Sequence, residues 1–253
     1  MATTYLETFF RCENYQEAQK QSLGYEEDSL VDKLVENIKR EPPWKVINNE
    51  LYIEHRQLEL LSAVMRVSFE NKYINIKVAD IGGGNGYLSS SIRENLDMIN
   101  WDWTVFESDK VALAYSQFEK ESGIKWQKSS GDFVDSHDIG LFSCSLQYLQ
   151  SPFKVLRKFA SKCKYLIIMR LPLIDESNHV ITKQIFTEGI YHEASSSWPA
   201  WFFSKNRFYS EIEKIGKVIY KWKTPTEIIH FEGKSIMMEG VLVRVNNVVP
   251  GRG

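Results

Sequence analysis

"KVADIGGGNGYLSSSIREN", residues 77–95, sets an aspartate ahead of four glycines in five positions. The β-branched run "INIKVADI" leads into the glycines, and the helical "YLSSSIRENLDMI" follows them. In a strand–loop–helix unit the loop turns sharply and its backbone comes within contact distance of a ligand, so side chains are removed there. The amides of the first helical turn then point at the ligand, with the helix dipole favouring negative charge. Asp80-x-Gly82-x-Gly84-x-Gly86, with Gly83 inside the turn, therefore reads as a ligand-binding loop between a strand and a helix.

Outward from the loop the pattern alternates. "WDWTVFE" reads as a second strand, "KVALAYSQFEKES" as a second helix, and "IGLFSCS" and "KYLIIMRLP" as further strands around the helical "PFKVLRKFASK". Such alternation marks a parallel sheet covered by helices. "RFYSEIEKIG" is helical, and "KVIYKWK" and "IMMEGVLVRV", joined around "FEGK", predict a closing antiparallel pair. The expected fold class is α/β: a Rossmann-like, doubly wound, mostly parallel sheet ending in an antiparallel strand pair.

Residues 14–40 and "IEHRQLELLSAVMRVSFEN" carry apolar residues at helical spacing. Residues 1–70 are expected to be an N-terminal helical extension and residues 71–250 the ligand-binding domain. Within it, residues 171–205 are rich in His, Ser, Trp and Pro without core periodicity. So long a connection predicts a lid or substrate wall.

The 31 Lys and Arg and 33 Asp and Glu of the 253 residues are mixed along the chain, which argues against a dedicated nucleic-acid surface. "MATTYLETFFRCENYQ" has acidic residues where a secretory signal is basic, and no run is long enough to span a bilayer. Cys12, Cys144 and Cys163 are odd in number and form no CxxC pair. A cytoplasmic protein with free thiols and no zinc is the expectation.

Asp80 narrows the ligand. A dinucleotide brings a doubly negative pyrophosphate, beside which a carboxylate is poorly placed. S-adenosylmethionine (SAM) brings no phosphate but an amino-acid end whose ammonium suits Asp80 and whose carboxylate suits the loop amides. The alternative is that Asp80 only caps the loop through backbone hydrogen bonds. Glu107, with Ser108 beside it, ends the second strand where doubly wound folds hold ribose hydroxyls; otherwise it is a helix N-terminal acid. In "SSGDFVD", Asp132 suits the adenine amino group with Phe133 against the ring, or it serves the turn alone. Ser145, Gln147 and Tyr148 follow the "IGLFSCS" strand, beyond whose carboxyl end ligands bind in such sheets. Tyr148 otherwise packs a helix start.

Together Asp80, Gly82, Gly84, Gly86, Glu107 and "GDF" resemble the motifs of class I SAM-dependent methyltransferases, over roughly residues 70–250. "DIGGGNGYL", "SLQYLQSP", "LIIMRLPL", "SWPAWFFS" and the early "EHR" are similar to a methyltransferase family encoded among surface-polysaccharide and lipopolysaccharide biosynthesis genes. The resemblance implies SAM as cofactor, S-adenosylhomocysteine (SAH) as product, and a small-molecule acceptor. One departure is the long spacing from Asp80 to Glu107; a shifted alignment makes Asp102 or Asp109 the ribose acid instead.

Methyl transfer needs alignment, and an oxygen acceptor also needs a base, for which histidine is suited. His55 lies on a helix before the fold, His137 ahead of a strand, and His230 near the terminal strands. His179 and His192 lie in the long segment, and His192, in "IYHEASSSWPAWFFS", is the preferred base, although a packed histidine is the commoner reading. Arg170 either orients an anionic substrate or pairs with an acid as scaffold. Tyr148 completes the catalytic candidates. No Asn-Pro-Pro-Tyr box, Pro-Cys nucleophile or carboxylate cluster at metal-ligand spacing is present in the sequence.

The leading expectation is O-methylation of a saccharide or nucleotide-linked sugar. An aminopropyl transfer on the same fold and a non-catalytic nucleoside-binding protein are the alternatives. Residues 1–50 either cover the cofactor or carry a homodimer contact.

Overall fold

The computed structural model describes residues 7–44, 55–72, 74–131, 133–187 and 189–246. Ahead of the glycine loop come β1 (Glu7–Cys12), α1 (Tyr15–Lys20), α2 (Asp28–Arg40) and α3 (His55–Asn71). The alternating region supplies β2 (Asn75–Ile81), α4 (Tyr87–Asn95), β3 (Asn100–Glu107), α5 (Asp109–Tyr115), α6 (Glu119–Ser122), β4 (Lys125–Lys128), β5 (His137–Ser143), α7 (Pro152–Ala160) and β6 (Cys163–Leu171). The last third holds β7 (Leu173–Ile174), β8 (Val180–Phe186), α8 (Gly189–Glu193), β9 (Ser197–Ser204), α9 (Lys205–Ile215), β10 (Gly216–Phe231) and β11 (Lys234–Val245).

The main sheet has the order β10-β11-β6-β5-β2-β3-β4. Its first five strands in sequence, β2 to β6, pair in parallel, and β11 runs antiparallel to both β6 and β10. The expected mostly parallel sheet with an antiparallel end pair is what forms. Burial follows from strand alternation. On β6, Tyr165, Ile167 and Met169 face a core shared with Leu60 and Val64 of α3 and Ile92 of α4. Leu166 and Ile168 face the opposite core, with Leu156 and Phe159 of α7 and Phe208 and Ile212 of α9. Helices thus cover both faces, and β2 lies where the strand order reverses, between β3 and β5. Ligands of such sheets bind beyond the carboxyl ends of the strands at this switch point.

A second sheet, β1-β8-β9-β7, forms from segments read otherwise in the sequence. Residues 7–12, within the expected helical extension, are a strand that pairs antiparallel with β8. Residues 171–205, expected as a wall or lid without core periodicity, fold as three strands and a short helix. Pro172, which has no N–H to donate, follows β6 directly and sends the chain out of the main sheet into β7. β9 carries Pro199 opposite Lys183 of β8, while β7 pairs with β9 only at Phe203 and Ser204. At Pro199 the strand is therefore open on one side, where proline is tolerated.

Among the described residues, no helix is long and apolar enough to cross a membrane.

Candidate active site

The glycine loop lies against the end of β5. Gly82 has φ +70°, and a Cβ there would stand 2.6 Å from the Ser145 Cβ. Gly86 has φ +77°, caps α4, and would meet Ile124 if it carried a side chain. Both positions combine a left-handed backbone with a close approach, which leaves only glycine. Gly84 also has positive φ, but a Cβ there would meet nothing within 4 Å: this is the open face of the cradle. Trp126 of β4 holds the loop from behind, donating its Nε1–H to the Gly84 carbonyl at 2.9 Å.

Asp80 sits behind the loop, fully buried. Its Oδ2 accepts from Trp103 Nε1 at 3.2 Å, and its Oδ1 has no partner. Burial pushes its pKa up to about 7, against the Trp103 hydrogen bond and with a small further push from Glu107. A buried carboxylate with an unpartnered oxygen is costly unless a cation completes it. The carboxylate of Glu107, at the end of β3, accepts from the Gly84 amide and the Ser108 amide, each at 3.0 Å. Burial raises its pKa to about 7 as well, although both amides pull the other way. The alternatives for this acid stand elsewhere: Asp102 is paired with Lys125, and Asp109 accepts from Ser130. The buried Ser145 Oγ and Ser108 Oγ are unpartnered too. Asp80, Glu107 and Ser145 therefore lie against the loop, with Ser108 next to Glu107.

Asp132 lies outside the described residues. Phe133 is buried between Phe159 and His137, the latter stacked on it at 5.0 Å and 12°, so its ring is committed to the core. His192 is exposed on α8, its Nδ1 3.1 Å from the Phe186 carbonyl. Adjacent residues of a helix point about 100° apart, and it is Tyr191 that turns inward. Its ring meets Phe186 at 5.0 Å and Trp198 at 5.2 Å. Its hydroxyl is hydrogen-bonded to Tyr25, and burial, then the nearby Glu107 and Cys144, push its pKa up to about 12. His179 is packed against Phe153 and Phe203, with Nδ1 accepting from the Ser204 amide at 3.0 Å. That histidine borders an open 410 Å³ pocket with Tyr15 and Trp201 rather than the glycine loop.

Arg170 is paired with an acid. Its Nε donates to Glu227 at 2.6 Å in a largely buried ion pair. Arg170 and Cys144 both hold left-handed backbones, φ +61° and +55°, at the carboxyl ends of β6 and β5. Non-glycine residues there are strained, and such strain clusters at functional sites. Gln147 bridges the two strand ends, its Nε2 3.1 Å from Cys144 Sγ and 3.4 Å from the Arg170 carbonyl. Tyr148 meets Trp198 edge-on at 5.9 Å.

One histidine read as lying before the fold reaches the crevice side. α3 packs on β6 and α4, and Asn71 at its end is bonded to Tyr165 near the start of β6. Its 17 residues span about 25 Å at 1.5 Å per residue, so its start lies toward the carboxyl ends of the strands. Arg56 confirms this placement, lying 5.2 Å over the ring of Tyr87, the first residue of α4. His55 Nδ1 stands 3.0 Å from Glu59, whose other oxygen accepts from Thr224 at 2.8 Å.

No protein-family model matches the sequence, and no curated protein matches it. Solved structures do. The N-terminal domain of EvdMO1, solved in the presence of SAH and D-fucose, has a TM-score of 0.52 at 11% identity, over 85% of this chain and 97% of that one. The [4+2]-cyclase SpnF has a TM-score of 0.54 at 10% identity, over 92% of this chain and 96% of that one. With its seven-stranded sheet, single antiparallel insertion and glycine loop at the switch point, the chain has the class I methyltransferase fold.

Proposed function

We propose that the chain is a SAM-dependent methyltransferase acting on a small-molecule acceptor, at an oxygen of a saccharide or nucleotide-linked sugar. The observation that carries this reading is the unpartnered oxygen of buried Asp80 behind the open glycine loop. When bound, SAM supplies an already activated methyl group for in-line displacement. The residues fit it: Asp80 answers the ammonium, the loop amides the carboxylate, and Glu107 the ribose hydroxyls, while Ser108 and Ser145 bring free hydroxyls. Asp132 is kept as the proposed adenine contact.

For proton removal the better-placed base is His55 rather than His192. The Glu59 carboxylate lies 3.0 Å from Nδ1, which leaves Nε2 to take the acceptor's proton, and the exposure of the ring lets that proton pass to solvent. Arg170 and Tyr148 shape the acceptor side. The resemblance of the sequence motifs to polysaccharide-cluster methyltransferases supports the saccharide acceptor.

Calorimetry with SAH tests the reading. The protein should bind SAH, Asp80→Asn should weaken SAM binding at least tenfold, and Asp97→Asn should leave it within twofold. A folded protein that binds neither ligand at millimolar concentration overturns the proposal. A second reading keeps the pocket and changes the reaction; it is favoured by the similarity to a [4+2]-cyclase. Tight SAH binding without methyl transfer to any acceptor would support it.

A further inference from the structure

Gln184 of β8 is the most anomalous polar side chain in the described fold. It is fully buried, and neither its amide oxygen nor its amide nitrogen has a hydrogen-bond partner. Leaving both ends of a primary amide unpaired costs several times what one good hydrogen bond contributes, and such groups in native proteins call for an explanation. Its direction follows from the strand register. Gln184 is the partner of Trp198 on β9 and of Phe9 on β1, and residues directly opposite share a face. Trp198 is on the inner face, in contact with Tyr25, Tyr148, Phe186 and Tyr191. The same inner face carries Trp198 Nε1, which is buried and unpartnered as well. β9 packs on the Leu146–Tyr148 turn at the carboxyl end of β5, so this face looks onto the side of the crevice where an acceptor would sit.

From this placement we infer that Gln184 is the recognition residue of an acceptor subsite for a neutral vicinal diol, as on a pyranose ring. This rests on the methyltransferase reading for the role of the bound sugar. The chemistry selects the class. A primary amide offers one acceptor oxygen and a donor nitrogen side by side. Two adjacent hydroxyls answer both, one donating to Oε1 and the other accepting from Nε2. The Trp198 indole N–H adds a donor for a further hydroxyl, and the Trp198, Phe186 and Tyr191 rings offer apolar faces to ring C–H groups. Arg170, at the end of β6, is paired with Glu227, so recognition of the diol is assigned to the amide and the indole N–H rather than to that cation.

Ligand-observed NMR on the full chain with SAH present tests this, using methyl α-D-mannopyranoside and methyl α-D-glucopyranoside as probes and cyclohexanol as the single-hydroxyl control. SAH binding is measured alongside by calorimetry. Expected is saturation transfer to at least one glycoside and none to cyclohexanol. Gln184→Leu should weaken the glycoside at least tenfold, with SAH affinity within twofold and a thermal midpoint no lower than wild type. Gln184→Asn, which keeps both polar atoms but withdraws them by one methylene, should also weaken the glycoside. Glycoside binding that survives Gln184→Leu overturns the inference, as does its absence from a wild-type protein that binds SAH. A lower midpoint for Gln184→Leu overturns it too, by showing the amide to be a structural bond. Failure of SAH to bind strikes instead at the methyltransferase reading, and the glycoside comparison still decides the role of Gln184.

Discussion

Two carboxylates flank one glycine loop, and their burial gives the site a pH dependence whose sign can be worked out. Asp80 and Glu107 both have folded pKa values near 7, raised from about 4 by burial. In the ligand-free protein the folded state therefore holds more protons than the unfolded chain between about pH 4 and 7, and stability contributed by these groups falls as pH rises through that window. Binding runs the other way. An ammonium on Asp80 needs the ionised form, so SAM affinity should rise about tenfold per pH unit up to about pH 7 for each carboxylate required charged, then level off. Calorimetry in buffers of different ionisation enthalpy should show proton release on SAM binding at pH 6 and little at pH 8. An affinity flat from pH 6 to 8 would remove Asp80 from the ammonium. The loop itself was legible in the sequence, because the steric demand at Gly82 and Gly86 admits one residue type. The inward-facing residue of α8 was not: His192 and Tyr191 are neighbours, and this one short helix decides which of them faces inward.

Among the elements, β10 is the one whose irregularity the site uses. Its pairing with β11 slips between Thr224 and Ile228, and the slip presents Thr224 to Glu59 and Glu227 to Arg170. A bulge of this kind re-aims side chains at the end of a sheet. Removing one partner of a largely buried pair leaves the other charge uncompensated, so Glu227→Gln should cost about 3 kcal/mol. Urea unfolding should show this as a lower midpoint at unchanged slope. Arg170→Met with Glu227→Met should lose less than the single change. A larger loss in the double variant would mean that Arg170 stabilises the fold mainly through its other contacts. The strands around the loop were legible because their apolar runs alternate with helices. β8 and β9 were hidden for a physical reason: Thr182, Gln184 and Ser204 are polar yet buried, and β9 is buried along nearly its whole length, so hydropathy does not alternate there. β4 escaped notice because only Trp126 of its 4 residues is buried.

At the scale of the whole molecule, the question is what holds the second sheet over the crevice. Two kinds of contact join it to the β10–β11 hairpin. Arg11 of β1 reaches Glu232 in the hairpin turn through two 2.7 Å hydrogen bonds, and Glu176 at 3.2 Å. Beside this, Phe202 of β9 stacks on Phe231 at 4.5 Å and meets Phe9 edge-on at 5.0 Å, within a cluster that includes Ile229, Ile236 and Met238. The ionic contact is conspicuous but more than two-fifths exposed on both the Arg11 and Glu232 side chains. Exposed pairs contribute about 0–1 kcal/mol and are screened by salt, whereas truncating a fully buried phenylalanine costs about 3–5 kcal/mol. Phe202 has no exposed surface. Phe202→Ala should therefore destabilise the protein by about 3–5 kcal/mol and speed hydrogen exchange in β8 and β9. Arg11→Ala should change stability by under about 1 kcal/mol, and less still in high salt. Both variants should keep SAH affinity near wild type while folded, because the glycine loop, Asp80 and Glu107 belong to the main sheet. If Arg11→Ala instead loosens β8 as much as Phe202→Ala does, the second sheet is clasped by charge, and its attachment to the hairpin would depend on ionic strength.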